Sequence, residues 1–306
     1  MVSTRILSID GGGIRGLIPA LVLAHIEEEC GKPAAELFDV IAGTSTGGIL
    51  ALGLACPEPT YSARELAGLY VDEGETIFPK RLINVRGLYD EKYSAVGLEQ
   101  VLEDRLGDAR LKDARTRVLV TSYDIERRSP VFFRSARAQE EADHDFLMRD
   151  VARATSAAPT YFEPARLPGD PPYSLVDGGV FANNPGMCAY VDRHTVDHRD
   201  DVTMVSLGTG ELTRRLPYEK AKDWGLLSWG LVVLDVVFDG VSDTVDYQLQ
   251  TLLGDNYLRL QTELDKASDD MDDAGERNIA DLGLEAEELI AANRADLDGL
   301  CERLAA

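Results

Sequence analysis

A serine flanked by glycines follows an apolar run of the sequence. Gly43, Ser45 and Gly47 form the pattern Gly-x-Ser-x-Gly directly after Phe38–Ala42, which is predicted to be a buried strand. A sharp strand-to-helix turn would expose the serine hydroxyl in a strained position, and the glycines would avoid steric clashes. The pattern predicts Ser45 as a nucleophile, and the alternative is a plain turn in which the serine caps the helix.

A second glycine-rich turn, Asp10-Gly-Gly-Gly-Ile-Arg-Gly16, follows the first predicted strand, Arg5–Ile9. Its glycines fit the dinucleotide-binding pattern Gly-x-Gly-x-x-Gly, but such a site also requires an acidic residue at the end of the next strand. Here the next strand runs straight into the Ser45 turn, so we favour an anion-binding loop that stabilises an oxyanion. The residues predicted for this oxyanion hole are Gly11, Gly12, Gly13 and Arg15.

An aspartate next to two glycines supplies a candidate base. Asp177, Gly178 and Gly179 follow the short apolar run Leu175-Val176. Alone this is only a turn signal, but beside a nucleophile and an anion-binding loop it would complete a catalytic set. Because the reference pKa of aspartate is about 3.9, Asp177 needs a dry pocket that raises its basicity.

These turns require strands and helices that hold them together. Two consecutive strand–glycine turn–helix units predict a parallel sheet covered by helices, and no linker divides the chain, so we expect one α/β domain over residues 1–306. Asp145 is expected to cap a helix that ends near Thr155. The other predicted elements are helices over Gly16–Cys30 and Ile49–Cys56, a hairpin of Arg117–Tyr123 with Pro130–Arg134, and a strand over Val202–Leu207.

Taken together, the motifs resemble the patatin-like phospholipase family. Besides the three turns, the segments that carry the likeness are Ala154–Phe162, Asn183-Asn184-Pro185, Val205–Gly210 and Met271–Ala274. The resemblance implies a three-layer α/β/α sandwich with a mainly parallel central sheet. It also implies a Ser–Asp dyad without histidine, in which Ser45 is the nucleophile and Asp177 the general base. The implied activity is hydrolysis of acyl esters in phospholipids, lysophospholipids or similar lipids, without calcium or another cofactor.

Two other interpretations remain open. In an α/β-hydrolase, a histidine would follow the acid in sequence, as His194 and His198 follow Asp177, although their charged neighbours indicate a solvated helix face. A storage or interaction protein could keep the fold without useful turnover. Ser156 lacks flanking glycines and is expected at a helix end.

Metal and nucleotide sites are weakly indicated. Asp270, Asp272 and Gly275 suggest a calcium loop. However, Ala274 stands where a third ligand belongs and Asp281 replaces the bidentate glutamate, so we expect no metal. Some bacterial members of the family that this chain resembles are switched on by a bound nucleotide signal. Two basic clusters could serve that role, one of Arg127, Arg128, Arg134 and Arg137 and one of Lys80, Arg81 and Arg86.

The net charge of −23 disfavours a nucleic-acid partner and repels anionic membranes, so docking onto lipid would need apolar contacts. Trp224–Phe238 is the most apolar stretch, and we expect it to border the substrate entrance and touch lipid, with a core helix or a dimer contact as alternatives. Four scattered cysteines predict neither a disulfide scaffold nor a zinc site. A soluble, cytoplasmic protein is expected.

Overall fold

The computed structural model describes residues 3–79, 92–196, 201–230 and 232–305, without the side chains of residues 193–196, 226, 227 and 305. Its centre is a mixed sheet of eight strands in which β5, β6, β3, β2, β1, β7 and β8 are neighbours in that order and β4 pairs with β3. The strands are β1 Thr4–Ile9, β2 Val40–Thr44, β3 Arg117–Asp124, β4 Ser129–Arg134, β5 Ala165–Leu167, β6 Tyr173–Asp177, β7 Val202–Leu207 and β8 Tyr257–Leu260.

Five strands of this sheet, from β3 through β2, β1 and β7 to β8, are parallel. Strands β4 and β6 both run antiparallel to β3, and β5 runs antiparallel to β6. Parallel strands need long crossover connections, which helices supply. The helices are α1 Leu17–Cys30, α2 Ala34–Leu37, α3 Thr46–Ala55, α4 Ala63–Ile77, α5 Val96–Leu106, α6 Ser135–Glu140, α7 Met148–Thr155, α8 Gly179–Ala182, α9 Gly186–Val196, α10 Tyr218–Ala221, α11 Leu226–Gly230, α12 Val233–Leu253, α13 Glu276–Ala292 and α14 Arg294–Ala305.

Helices cover both faces of the sheet. Successive side chains of a strand point to opposite faces, so Leu7 of β1 lies in a large core with residues of α1, α3 and α4. Ile6 lies in a smaller core on the other face, where α9 packs against β1 and β2. Both layers confirm the predicted α/β/α arrangement with a mainly parallel sheet.

Most predicted elements are present with shifted ends. The strand predicted over Phe38–Ala42 is β2, Val40–Thr44, and the predicted hairpin is β3 with β4. The cap predicted at Asp145 is wrong, because α7 begins at Met148 without a side-chain cap. Asp145 instead accepts a hydrogen bond from Arg110 Nε at 2.7 Å and one from the Lys112 N–H at 3.2 Å, which lie before β3 in the chain.

The register of three strands brings the two candidate catalytic residues to the same level. Thr44 at the end of β2 pairs with Thr121 of β3, and Ser122, the next residue of β3, pairs with Asp177 at the end of β6. Strand β4 pairs with both Thr121 and Ser122, so it occupies one edge of β3 and leaves β2 and β6 to share the other. Ser45, which follows Thr44, therefore lies where β6 replaces β2 as the neighbour of β3.

A disulfide joins Cys30 at the end of α1 to Cys301 in α14, although the sequence pattern predicted no cross-linked scaffold. Cys56 and Cys188 are free thiols. Disulfides persist in oxidising compartments, so this bond does not favour the expected cytoplasmic location, which stays a prediction. In the described ranges, no helix is both long enough and apolar enough to cross a membrane.

Candidate active site

Ser45 lies on a strained turn between β2 and α3. Its φ of 55° is in the left-handed region, which residues other than glycine rarely adopt. The Ser45 N–H donates to Thr155 Oγ1 at 2.8 Å, and the Thr155 hydroxyl donates to the carbonyl of Thr121 at 2.7 Å. Strain of this kind persists only when surrounding contacts hold it, and these two hydrogen bonds tie the turn to α7 and β3.

Gly47 is required by a close approach between α3 and β1. A Cβ at this position would lie 2.2 Å from the carbonyl oxygen of Ile9, a distance that no side chain tolerates. The first turn of α3 therefore packs directly on the end of β1, from which the loop Asp10–Gly16 begins. The amide groups of this first helical turn have no partners within the helix, so their N–H groups favour negative charge beside Ser45.

Asp177 is fully buried beside Ser45. Its Oδ1 accepts a hydrogen bond from the Gly179 N–H at 2.7 Å, while Oδ2 has no well-formed hydrogen bond in the described part of the chain. Burial raises the pKa of Asp177 to about 7, and the nearby Ser45 hydroxyl and the Gly179 N–H oppose that shift only in part. The carboxylate thus has the basicity that its reference pKa lacks, and one oxygen is free to accept a proton.

The loop after β1 has two backbone N–H groups without an acceptor in the described ranges, those of Gly12 and Gly13, whereas its Gly11 and Arg15 N–H groups are occupied. The N–H of Gly11 donates to the Asn183 carbonyl at 3.1 Å, and the N–H of Arg15 donates to the Gly12 carbonyl at 3.2 Å. Among the described residues, the N–H groups of Gly12 and Gly13 have no acceptor. Of the four residues predicted for an oxyanion hole, only these two glycines keep free N–H groups next to the Ser45 cavity, whose wall they form.

The conformation of this loop depends on a residue far away in sequence. Gly13 has a φ of 59°, and a Cβ there would lie 2.2 Å from the carbonyl oxygen of Met271. That carbonyl accepts a hydrogen bond from the Ile14 N–H at 2.9 Å. The Met271–Ala274 segment therefore holds the loop, a role that its sequence did not indicate.

The Arg15 side chain turns away from the serine. Its Nε donates to the Gly12 carbonyl at 3.4 Å, and the guanidinium lies in the wall of a neighbouring polar cavity. Arg15 does not line the Ser45 cavity. Any effect of Arg15 on the oxyanion donors is therefore exerted through the position of the loop and not by direct contact with the reacting atoms.

Ser45 and Asp177 share a narrow, mostly apolar cavity. Its apolar walls come from α3, α4, α5 and α12 and from the residues that follow α7. They include Ile49, Leu69, Ile77, Leu98, Phe162 and Phe238. No histidine lines this cavity in the described ranges, and polar groups are few. Apolar linings of this kind are typical of cavities that bind apolar groups.

Residues 7–189 match the family described as "Patatin-like phospholipase". The chain belongs to that family. Patatin-like protein 2 of Oryza sativa subsp. indica is 33% identical over 96% of this chain and 85% of its own length. Patatin group M-3 of Solanum tuberosum is 33% identical over 90% of this chain and 80% of its own length. A crystal structure of VipD from Legionella pneumophila is a weak match, at 12% identity and a TM-score of 0.45 over 94% of this chain and 67% of that one. Membership of a phospholipase family supports a lipid acyl hydrolase.

Other predicted residues are distributed away from this centre. The side chain of His194 and all of His198 lie outside the described residues, as do Lys80, Arg81 and Arg86. His25 lies in α1, and His144 lies near Glu141 on the surface. Ser156 ends α7 as expected, but it also lines the Ser45 cavity, and its hydroxyl has no partner in the described part.

Three residues of the basic cluster Arg127, Arg128, Arg134 and Arg137 are paired with carboxylates. Arg134 forms an ion pair with Asp192 at 2.7 Å, and Arg137 forms one with Glu141 at 2.8 Å. Arg127 pairs with Asp124 and stacks on the ring of Tyr173. Arg128 has a φ of 56° in the turn between β3 and β4. This pairing gives no direct support to a nucleotide site.

The acidic loop predicted as a poor calcium site has other contacts. Asp272 accepts a hydrogen bond from the Tyr93 hydroxyl at 2.6 Å and pairs with Lys92, while Asp270 lies 3.5 Å from Arg214. Within the described residues, the one group of three side chains with metal-ligand spacing is Glu141, Asp143 and His144, which lies near the surface.

Proposed function

We propose that this protein is a serine acyl-ester hydrolase that acts on phospholipids or lysophospholipids through a Ser45–Asp177 dyad. The observation that carries the proposal is the buried Asp177, which lines the same cavity as Ser45, has its pKa raised to about 7 and has no hydrogen-bond partner for Oδ2 in the described part of the chain. A carboxylate of this basicity can accept the proton of an alcohol near neutral pH, whereas an exposed aspartate is a poor base.

In the first step, Asp177 Oδ2 accepts the Ser45 hydroxyl proton while Oγ bonds to the ester carbonyl carbon. The tetrahedral intermediate carries its negative charge on the former carbonyl oxygen. It collapses with cleavage of the carbon–oxygen bond to the alcohol, which takes the proton from Asp177 and leaves an acyl-serine. Water then attacks the acyl carbon and gives its proton to Asp177, and the proton returns to Ser45 as the fatty acid leaves.

We assign the N–H groups of Gly12 and Gly13 to the negative oxygen of both intermediates. Their lack of another acceptor supports this role, because preorganised donors in a dry cavity stabilise charge without first breaking other hydrogen bonds. Gly11 and Arg15 would then act by shaping the loop. Gly43 lies near the end of β2 before Ser45, and Gly178 and Gly179 connect Asp177 at the end of β6 to α8.

The apolar cavity supports a fatty acyl chain as the part of the substrate next to Ser45. Contact of Trp224–Phe238 with membrane lipid, a homodimer and control by a nucleotide signal stay predictions. A storage protein without turnover is one alternative, and measurable hydrolysis would exclude it.

The test is a pair of measurements on Ser45→Ala. Hydrolysis of a short-chain chromogenic ester should fall by at least about 10⁴-fold, because no other group can form the acyl-enzyme. A fluorophosphonate probe should label wild-type protein at Ser45, and the Ser156→Ala control should still be labelled. Labelling that survives Ser45→Ala, or that is mapped to Ser156, would overturn the assignment. Melting curves establish that each variant is folded.

A further inference from the structure

The Met271–Ala274 segment belongs to no helix or strand, yet it lies directly against the Asp10–Gly16 loop. The Met271 carbonyl accepts a hydrogen bond from the Ile14 N–H at 2.9 Å, and a Cβ on Gly13 would lie 2.2 Å from the same oxygen. Gly13 precedes Ile14, and its own N–H is one of the two that have no acceptor among the described residues. A shift of the Met271 carbonyl would therefore displace the backbone that carries the candidate oxyanion donors.

Side-chain contacts hold this segment from two directions. On one side, Asn278 of α13 donates from Nδ2 to the Asp273 carbonyl at 2.7 Å. On the other side, the Tyr93 hydroxyl donates to Asp272 Oδ2 at 2.6 Å. Asp272 follows Met271 in the chain, so the contact with Tyr93 lies one residue away from the carbonyl that supports the loop.

The hydrogen bond between Tyr93 and Asp272 is buried, since both residues are 8% exposed. Lys92 also pairs with Asp272, but its side chain is half exposed, and ion pairs in contact with solvent contribute little. A hydroxyl that donates to a carboxylate forms a short, strong hydrogen bond, and burial keeps water from competing for it. The Tyr93 hydroxyl is therefore the stronger constraint on Asp272.

The ring of Tyr93 is itself held by two aromatic neighbours. Its centroid lies 5.5 Å from that of Phe78 and 6.0 Å from that of Phe162. Phe78 and Phe162 line the Ser45 cavity, whereas Tyr93 does not. Tyr93 thus lies behind the cavity wall and connects that wall to the Met271–Ala274 segment.

Resting on the function proposed above, we infer that Tyr93 is a positioning residue for the oxyanion donors. Its hydroxyl fixes Asp272, Asp272 fixes the Met271 carbonyl, and this carbonyl sets the conformation of the loop at Gly12 and Gly13. Preorganised donors stabilise a negative oxygen only while they are held within about 0.5 Å of the productive position. Tyr93 would therefore act on the transition state through the loop, without contact with the reacting atoms.

The experiment starts from Tyr93→Phe, which removes the hydroxyl and keeps the ring that packs on Phe78 and Phe162. For the full chain acting on a nitrophenyl ester, kcat should fall by about tenfold or more and KM should stay within about twofold of wild type, because only an interaction of the transition state is weakened. Asp272→Asn keeps an oxygen that can accept from Tyr93, so it should retain more activity than Asp272→Ala. In the Asp272→Ala background, Tyr93→Phe should cost no more than about a further twofold, since the two residues act as one unit.

Tyr257→Phe is the matched control. The Tyr257 hydroxyl donates to Asp246 Oδ1 at 2.9 Å, and Tyr257 is 6% exposed in the smaller core, so the same type of bond is removed on the other face of the sheet. Both variants should melt at a lower temperature than wild type, but Tyr257→Phe should keep kcat within about twofold. Equal losses of kcat in the two variants would show that Tyr93 is merely structural, and an unchanged kcat in Tyr93→Phe would overturn the inference.

Two esters separate loop positioning from an effect on the cavity wall. Acetyl and octanoyl nitrophenyl esters should lose kcat by the same factor in Tyr93→Phe, because both form the same oxyanion. A loss confined to the octanoyl ester would show that Tyr93 supports the wall for the acyl chain and would overturn the positioning role. Ser45→Ala reports on the proposed function: if it abolishes hydrolysis while Tyr93→Phe behaves like wild type, only the present inference fails. Hydrolysis that survives Ser45→Ala would overturn both.

Discussion

The proposed mechanism depends on the basicity of one carboxylate, that of Asp177. Asp177→Asn removes the base and keeps an acceptor for the Gly179 N–H, so we expect turnover of a nitrophenyl ester to fall by about 10²–10⁴-fold. In the wild-type protein, the rate should rise with pH through about 7, because only the ionised Asp177 can accept the serine proton. The measurement is a pH–rate profile of both proteins over pH 5–9, with melting curves as a control for folding.

The same rise with pH would be produced by a catalytic histidine, whose reference pKa is about 6.5, so histidine variants are needed as matched controls. His194→Ala and His198→Ala should change the rate by no more than a few-fold if Asp177 is itself the base. In a triad, loss of the histidine would cost as much as loss of Ser45. A folded histidine variant with almost no activity would therefore replace the dyad by a triad.

At the level of single residues, the candidate residues could be selected from the sequence, whereas their environments could not. The glycines around Ser45 and Asp177 are local signals of sharp turns, so both residues could be recognised without a structure. The raised pKa of Asp177 could not, because it depends on burial by segments that are distant in sequence. Gly11, Gly12, Gly13 and Arg15 were predicted together as the oxyanion hole. The sequence could not show that the Gly11 N–H donates to the Asn183 carbonyl and the Arg15 N–H to the Gly12 carbonyl, which leaves Gly12 and Gly13 as candidate donors.

At the level of elements, α11 and the start of α12 connect the cavity to the surface. Phe238 lines the cavity, whereas Trp229, Val233 and Val236 on the same stretch are 41%, 42% and 44% exposed. Exposed apolar side chains beside an apolar cavity are typical of a membrane contact, which supports the prediction made for Trp224–Phe238. Trp224 and Trp229 stack edge to face. Because they are the two tryptophans of the sequence, tryptophan emission reports on this stretch alone.

We expect neutral phosphatidylcholine vesicles to shift the tryptophan emission to shorter wavelength and to sediment the protein. Val233→Asp with Val236→Asp should lower the vesicle affinity measured by sedimentation about tenfold. The reason is that burial of two carboxylates in lipid is unfavourable, whereas burial of two valine side chains is favourable. Leu284→Asp with Val71→Asp introduces the same charges at exposed positions on α13 and α4 and should have a much smaller effect. Unchanged emission in the presence of vesicles would refute the lipid contact.

Elements were predictable where the sequence alone sets local conformation. The first strand and the helix after it follow from an apolar run and a glycine-rich turn, and the β3–β4 hairpin follows from two strand-like runs around the charged turn Glu126-Arg127-Arg128. The cap assigned to Asp145 failed for a tertiary reason, since Arg110 and Lys112 bind this carboxylate and α7 starts three residues later. The contact that holds the Asp10–Gly16 loop at Met271 could not be predicted. It is made by the backbone carbonyl of Met271, which accepts from the Ile14 N–H, and any residue type supplies such a carbonyl.

At the level of the whole molecule, the fold class could be predicted but the strand order could not. Repeated strand–turn–helix units require a parallel sheet with helices on both faces. The placement of β1 between β2 and β7, and the exchange of β2 for β6 along β3, depend on pairings between distant segments. That exchange brings Ser45 and Asp177 together, so the catalytic geometry belongs to the complete sheet and not to either turn.

The bond between Cys30 and Cys301 is a second feature of the whole molecule, since it closes a loop of 271 residues. Cross-linking residues so far apart restricts the unfolded chain and typically stabilises a protein by about 2–4 kcal/mol. We therefore expect Cys301→Ser to lower the melting temperature by roughly 3–6 °C. Cys188→Ser, which alters a free and half-buried thiol, is the matched control and should have a much smaller effect.

Alkylation in denaturant gives an independent measurement of the same bond. Without reductant, mass spectrometry should find two modified cysteines, Cys56 and Cys188, and after reduction it should find all four. The bond also links stability to location, because the glutathione and thioredoxin systems of a reducing cytoplasm keep most thiols free. Four alkylated cysteines in unreduced protein, together with an unchanged melting temperature for Cys301→Ser, would refute the cross-link and restore the case for a cytoplasmic enzyme. Two modified cysteines with the expected loss of stability would argue that the protein matures in an oxidising compartment.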